Sequence, residues 1–205
     1  MTKLGTRADP ERDHIKVAGK LIAKFPRHEY FAYHKPVGFV TTLSDPQGRP
    51  CVGEVIERLG QRLYPVGRLD FHSSGLLLLT NDGDLCARLT HPKSHVEKRY
   101  VAKISGIPTQ ESIDRLRRGV DLREGKTEPA YVRLQRTAAN KAWMELRITE
   151  GRNRQVRRML EAVGLRVEKL RRTAMGPIAL GSLPAGGVRR LTHDELSSLR
   201  SAADN

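Results

Sequence analysis

Hydrophobic and polar positions alternate over short windows along most of the chain, and the period switches repeatedly between strand-like and helix-like. Tyr30–His34 and Phe39–Thr42 read as short strands around the turn-forming Lys35-Pro36-Val37-Gly38. Ser44–Pro50, with its Asp-Pro and Gly, reads as a loop, and Val52–Leu59 as a short helix. Tyr64–Leu69 and Leu76–Thr80 are predicted strands, joined by a loop over Asp70–Gly75. Asn81-Asp82-Gly83-Asp84 is a turn that also caps a helix running through about Leu89.

Further along, Arg99–Ser105 alternates as a strand should. A helix follows, with Thr109 as N-cap, Glu111 in its first turn, and Arg117 and Arg118 before Gly119. Acid early, base late and glycine after suit the helix dipole and C-cap. Tyr131–Gln135 and Ala142–Ile148 are strands. In the second, Met144, Leu146 and Ile148 share one face, and Trp143, Glu145 and Arg147 the other. Thr192-His193-Asp194-Glu195 is a capping box that opens a last helix. The pattern predicts an α+β fold: a mixed or antiparallel sheet flanked by helices. Residues 1–28 are polar and read as a lead-in to a single packed unit over residues 29–200.

Composition sharpens this. The 205 residues hold 37 Lys and Arg against 23 Asp and Glu, a net charge of +14. Such an excess points to a polyanionic partner, nucleic acid before an anionic membrane surface. The charge is concentrated: Arg152, Arg154, Arg157, Arg158, Arg166, Lys169, Arg171 and Arg172 face only Glu161 and Glu168 in one segment. It reads as a phosphate-binding face. No apolar run approaches the roughly 18 residues of a membrane span, and the N-terminus lacks a signal-peptide layout. A cytoplasmic location is expected. Cys51 and Cys86 stand apart with no neighbouring His or Cys, which argues against a zinc site or a disulfide framework.

Asp70 is the candidate for chemistry. It lies in Gly67-Arg68-Leu69-Asp70, on a short loop between two apolar strands, where scaffolds commonly present functional groups. By spacing alone, capping the turn through the Ser73 or Ser74 amides is the favoured use for it.

The run Gly67-Arg68-Leu69-Asp70-x-x-Ser73-Ser74-Gly75-Leu76-Leu77-Leu78-Leu79-Thr80-Asn81-Asp82-Gly83 closely resembles the signature of the RsuA/RluB-type pseudouridine synthases. The resemblance extends from Tyr30 to about Leu199. It takes in His34-Lys35-Pro36-x-Gly38, Asp45-Pro46-x-Gly48-Arg49, Lys98-x-Tyr100, Glu150 through Met159, and Gly186-Gly187-x-Arg189-x-Leu191-Thr192. It departs from the signature at His72, where Asp is frequent, and at Ser73, where Thr is usual. Residues 1–28 resemble the tail of the small S4 RNA-binding domain that precedes the catalytic domain in these enzymes.

The resemblance implies an isomerase that needs no metal or cofactor and converts a uridine of ribosomal RNA to pseudouridine. The large-subunit 23S RNA is favoured, free or in an assembly intermediate, over 16S rRNA or tRNA. It implies Asp70 as the catalytic carboxylate and Tyr100 as the aromatic against the target uracil. A carboxylate in a water-excluding cleft also needs a fixed cation beside it. On the helix Asn153–Val163, Val156, Met159, Leu160 and Val163 form the core stripe, Arg157 lies at its border, and Arg154 and Arg158 point away. Arg157 is therefore the expected ion-pair partner, as the resemblance also implies. Arg154 and Arg158, with Arg68, Arg152, Arg172 and Lys35, are expected to bind RNA, and Leu170 to floor the base pocket. The protein is expected to act as a monomer. A ribosome-assembly protein that kept the scaffold and lost catalysis would show a damaged Asp70, Tyr100 or Arg157; all three are intact.

Overall fold

The computed structural model describes residues 16–21 and 27–204. The proposed S4-like tail therefore falls almost wholly outside the described residues, apart from a small hairpin of Lys16–Val17 with Lys20–Leu21. The main sheet has nine strands: β1 (Tyr30–Lys35), β2 (Tyr64–Pro65), β3 (Ser73–Thr80), β4 (Lys98–Ser105), β5 (Tyr131–Ala138), β6 (Lys141–Ile148), β7 (Arg166–Met175), β8 (Ile178–Ala179) and β9 (Val188–Arg190). Five helices flank it: α1 (Val52–Arg58), α2 (Gly83–Thr90), α3 (Gln110–Arg118), α4 (Gln155–Ala162) and α5 (His193–Asp204). The strand order is β9-β1-β3-β7-β4-β6-β5, with β2 on β3 and β8 on β7. The sheet is mixed: β3 and β7 run parallel, and the other described pairs antiparallel.

The helix starts follow from local chemistry. Asp82 accepts from Leu85 N and Thr109 from Ser112 N. Thr192 and Glu195 close their box reciprocally. The strand boundaries differ more. Phe39–Thr42 is irregular apart from a single bridge between Val40 and Cys51. Only Tyr64–Pro65 of the 64–69 segment pairs as strand, and β3 starts at Ser73, so the loop that carries Asp70 runs over residues 66–72.

Three apolar clusters hold the layers together. Met144, Leu146 and Ile148 of β6 pack with Val156, Met159 and Leu160 of α4 and Ile113 and Leu116 of α3. Leu76 and Leu78 of β3 pack with α2 and α5, while Leu77 and Leu79 on its other face pack with α1. The β1/β3 half of the sheet is thus covered on both faces, so β3 reads as a continuous apolar run.

The parallel contact at the centre depends on Gly75. Its φ is +117°, and a Cβ there would stand 2.2 Å from the Arg172 carbonyl oxygen. Only glycine allows β3 and β7 to approach this closely. That contact brings the loop before β3 next to the side chains of β7.

Candidate active site

Asp70 sits at a cleft of about 570 Å³, a size suited to one small ligand group. Its walls come from several elements: Arg68 and Leu69 from the loop, Tyr100 from β4, Arg154 and Val156 from the start of α4, Leu170 and Arg172 from β7. Register explains the convergence. Tyr100 pairs with Arg172 and Leu146, and Leu170 with Ser73 and Ala102, so these side chains lie on one face where the parallel strands meet.

The loop is fixed through its backbone. Leu69 N donates to Thr41 Oγ1 and Thr41 Oγ1 donates to Leu69 O, at 3.2 and 2.7 Å. Gly38 N donates to Phe71 O at 2.9 Å, and Arg157 Nη2 to His72 O at 2.8 Å. Ser73 N donates to the main-chain carbonyl of Asp70 rather than to its carboxylate. The side chain of Asp70 is therefore not the cap of this turn, and it remains turned to the cleft with 26% of its surface exposed.

Among the described residues the cation paired with it is Arg154, with Nη1 4.0 Å from Asp70 Oδ2. This corrects the helical-wheel expectation that Arg154 points away. Arg154 is the residue before α4 and has φ +48°, a left-handed conformation that a wheel does not represent. Arg157 is buried, as its border position required, and its guanidinium supports the loop through His72. Burial and the charge of Arg154 pull its pKa down, and the charges of Asp70 and Glu161 partly oppose that shift.

The basic segment 152–172 is not one face. Arg152 is held by Glu150 and the carbonyls of Gly125 and Lys126. Arg158 pairs with Glu124, away from the cleft. Arg172 is 4% exposed and donates its Nε to Leu76 O at 2.8 Å. Lys35, expected to meet RNA, is fully buried, with Nζ bonded to the carbonyls of Pro36 and Phe39. These backbone acceptors let an ammonium sit in the core. Burial pushes the Lys35 pKa down to about 8, with Asp70 opposing the fall and Arg172 adding to it. Arg68, by contrast, is exposed at the cleft, Tyr100 is half-buried there, and Leu170 is buried along its wall. Sequence reasoning missed Thr41, whose clamp on Leu69 is a long-range contact with no local signature, and named Lys98 within its motif without giving it a role. The ammonium of Lys98 bonds Thr149 O beside the cleft, and burial with the charge of Arg172 lowers its pKa to about 8.

A carboxylate on a clamped loop, an arginine beside it and an aromatic thus share one cleft. The chain belongs to the RNA pseudouridine synthases: the model of the family described as RNA pseudouridylate synthase matches residues 29–162. It is 44% identical to the ribosomal large subunit pseudouridine synthase B of Bacillus subtilis, over 100% of this chain and 84% of that protein. It is 39% identical to an uncharacterized RNA pseudouridine synthase of Aquifex aeolicus, over 96% of this chain and 79% of the relative. A crystal structure of a pseudouridylate synthase superposes with a TM-score of 0.76 at 32% identity, covering 95% of this chain and 83% of that one. The expected pseudouridine synthase fold and isomerase activity are thereby established. Among the described residues, no helix is long and apolar enough to cross a membrane.

Proposed function

We propose that the chain isomerises a uridine of large-subunit (23S) ribosomal RNA, with Asp70 as the catalytic carboxylate. The presentation of that carboxylate carries the reading: it is free of the turn it sits in, faces the cleft and lies beside Arg154. The choice of RNA rests on relatives in Bacillus subtilis and Yersinia pestis, both described as ribosomal large subunit pseudouridine synthase B.

In the reaction the N1–C1′ bond breaks, the uracil turns, and a C5–C1′ bond forms. C5 then loses a proton and N1 gains one, so there is no net oxidation. Asp70 acts on the ribose as the glycosidic bond breaks, as carboxylates do in glycoside chemistry. Arg154 sets a positive charge beside that carboxylate, and Arg157 holds the loop that presents it. Tyr100 stacks on the extruded uracil, with Leu170 beneath, and Arg68 meets the backbone of the flipped nucleotide. All these groups come from a single chain, so a monomer in the cytoplasm suffices.

The test is to map pseudouridines in rRNA from cells with and without the gene, then complement with Asp70→Asn. One large-subunit site should vanish in the deletion and stay absent with the Asn variant. Loss of no site, or rescue by Asn, refutes the assignment.

A further inference from the structure

The half of the sheet formed by β4, β6 and β5 is packed on one face only. Tyr100, Ala102 and Ile104 of β4 and Met144, Leu146 and Ile148 of β6 turn toward α3, α4 and the cleft. The alternate residues project from the opposite face. There Arg99, Lys103, Arg133, Arg136, Lys141 and Arg147 surround Glu145, Glu168 and Glu97. Six cations against three carboxylates leave an excess of three positive charges.

These cations are held in place without being covered. Glu145, its side chain only 6% exposed, takes Arg147 Nε at 2.8 Å, Arg133 Nη2 at 3.2 Å and Arg99 Nε at 3.7 Å. Burial opposes its ionisation, but Arg147, Gln135 and Arg133 prevail and keep the carboxyl below its usual range. Arg136 stacks on Trp143 at 3.8 Å, and Arg147 on Tyr131 at 4.4 Å. Yet the Arg133 side chain is 59% exposed and that of Lys141 44%. Ion pairs this open to water add little stability. A set of guanidiniums held in place yet open to water is instead suited to phosphates.

We propose that this open face of β4, β5 and β6 is a second RNA-docking surface, which grips the phosphate backbone of the substrate RNA away from the target uridine. The inference rests on the RNA-modifying reading of the cleft. Because the face lies on the other side of the sheet from Tyr100, a stem-loop that merely fills the cleft does not reach it. A large rRNA fragment, with further helices beside the target, does.

The test compares the wild type with the triple variant Arg133→Gln, Arg136→Gln, Lys141→Gln on two RNAs. One is a minimal stem-loop carrying the unmodified target uridine, and the other a long, protein-free large-subunit rRNA fragment containing it. On the long RNA the variant should bind roughly tenfold more weakly, with the slope of log affinity against log salt shallower by roughly 2 to 3. On the stem-loop its affinity and turnover should equal those of the wild type, which also shows that it folds. A second variant that exchanges the same positions between Arg and Lys should keep the wild-type salt slope. Wild-type behaviour of the Gln variant on the long RNA overturns the proposal, and so does an equal loss on both RNAs. Failure of the cleft reading is distinct, because the wild type would then leave the stem-loop uridine unmodified.

Discussion

The guanidinium of Arg154 stands 4.0 Å from the carboxylate of Asp70, while Arg157, farther along the same segment, bonds the backbone of the Asp70 loop at His72. The two arginines therefore divide the work of charge and support. Arg154 is the nearer charge, with 41% of its side chain exposed. Removing it should disturb turnover more than stability: Arg154→Ala should lower kcat by about 3- to 10-fold, since solvent screens the pair. Thermal unfolding should stay near wild type. Arg157→Ala should lower both kcat and Tm, because it leaves the His72 carbonyl unpaired and a hole beside the loop. If Arg157→Ala unfolds like the wild type and Arg154→Ala turns over normally, the division is wrong.

Tyr100 lines the cleft, and one pair of variants separates the roles of its ring and its hydroxyl. Tyr100→Phe should bind RNA with wild-type KM. Its turnover should fall by roughly 10²-fold or more if the hydroxyl assists the final proton removal. Tyr100→Leu should in addition weaken binding by about 1–3 kcal/mol, the worth of stacking on a base. Single-turnover assays with a short RNA would separate these effects, and unchanged turnover of the Phe variant removes the hydroxyl from the mechanism.

Lys35 predicts a pH dependence of stability. Burial brings its folded pKa to about 8, below the ordinary 10.5. Between these values the unfolded chain binds more protons than the folded one, so this residue's contribution to stability rises with pH across that window. Below about pH 8 its full burden is present, on the order of 3 kcal/mol. Urea unfolding at pH 7.5 and 9.5 should show the wild type gaining relative to Lys35→Met as pH rises. A constant difference between the two proteins would refute a charged, buried Lys35.

Gly75→Ala tests the central strand contact. The added methyl would collide with Arg172 backbone, an atom that cannot swing aside, and φ +117° is itself hostile to alanine. A loss of about 3 kcal/mol or more is expected in chemical denaturation. A variant of wild-type stability would mean that β3 and β7 do not approach as described.

Much of this arrangement was legible in the chain because it depends on neighbours in sequence. The caps at Asp82, Thr109 and Thr192 are local hydrogen bonds, and the alternation of β6 is a local period. β7 was not legible. Its Arg171 and Arg172 read as one charged surface, yet alternation sends Arg172 into the centre of the sheet, where the Leu76 carbonyl accepts from it. Lys35 misled in the same way, since its partners are backbone carbonyls that composition does not reveal.

The sequence by itself determined the α+β element pattern, the basic character and, through its motifs, the family. Only the tertiary structure decided which arginine stands beside it, that Lys35 is interior, and that the far face of β4–β6 is open and charged. The physical reason is range. Caps and periodicity are set within one or two turns of chain, whereas the position of a guanidinium depends on a left-handed residue at Arg154 and on a glycine contact between strands far apart in sequence.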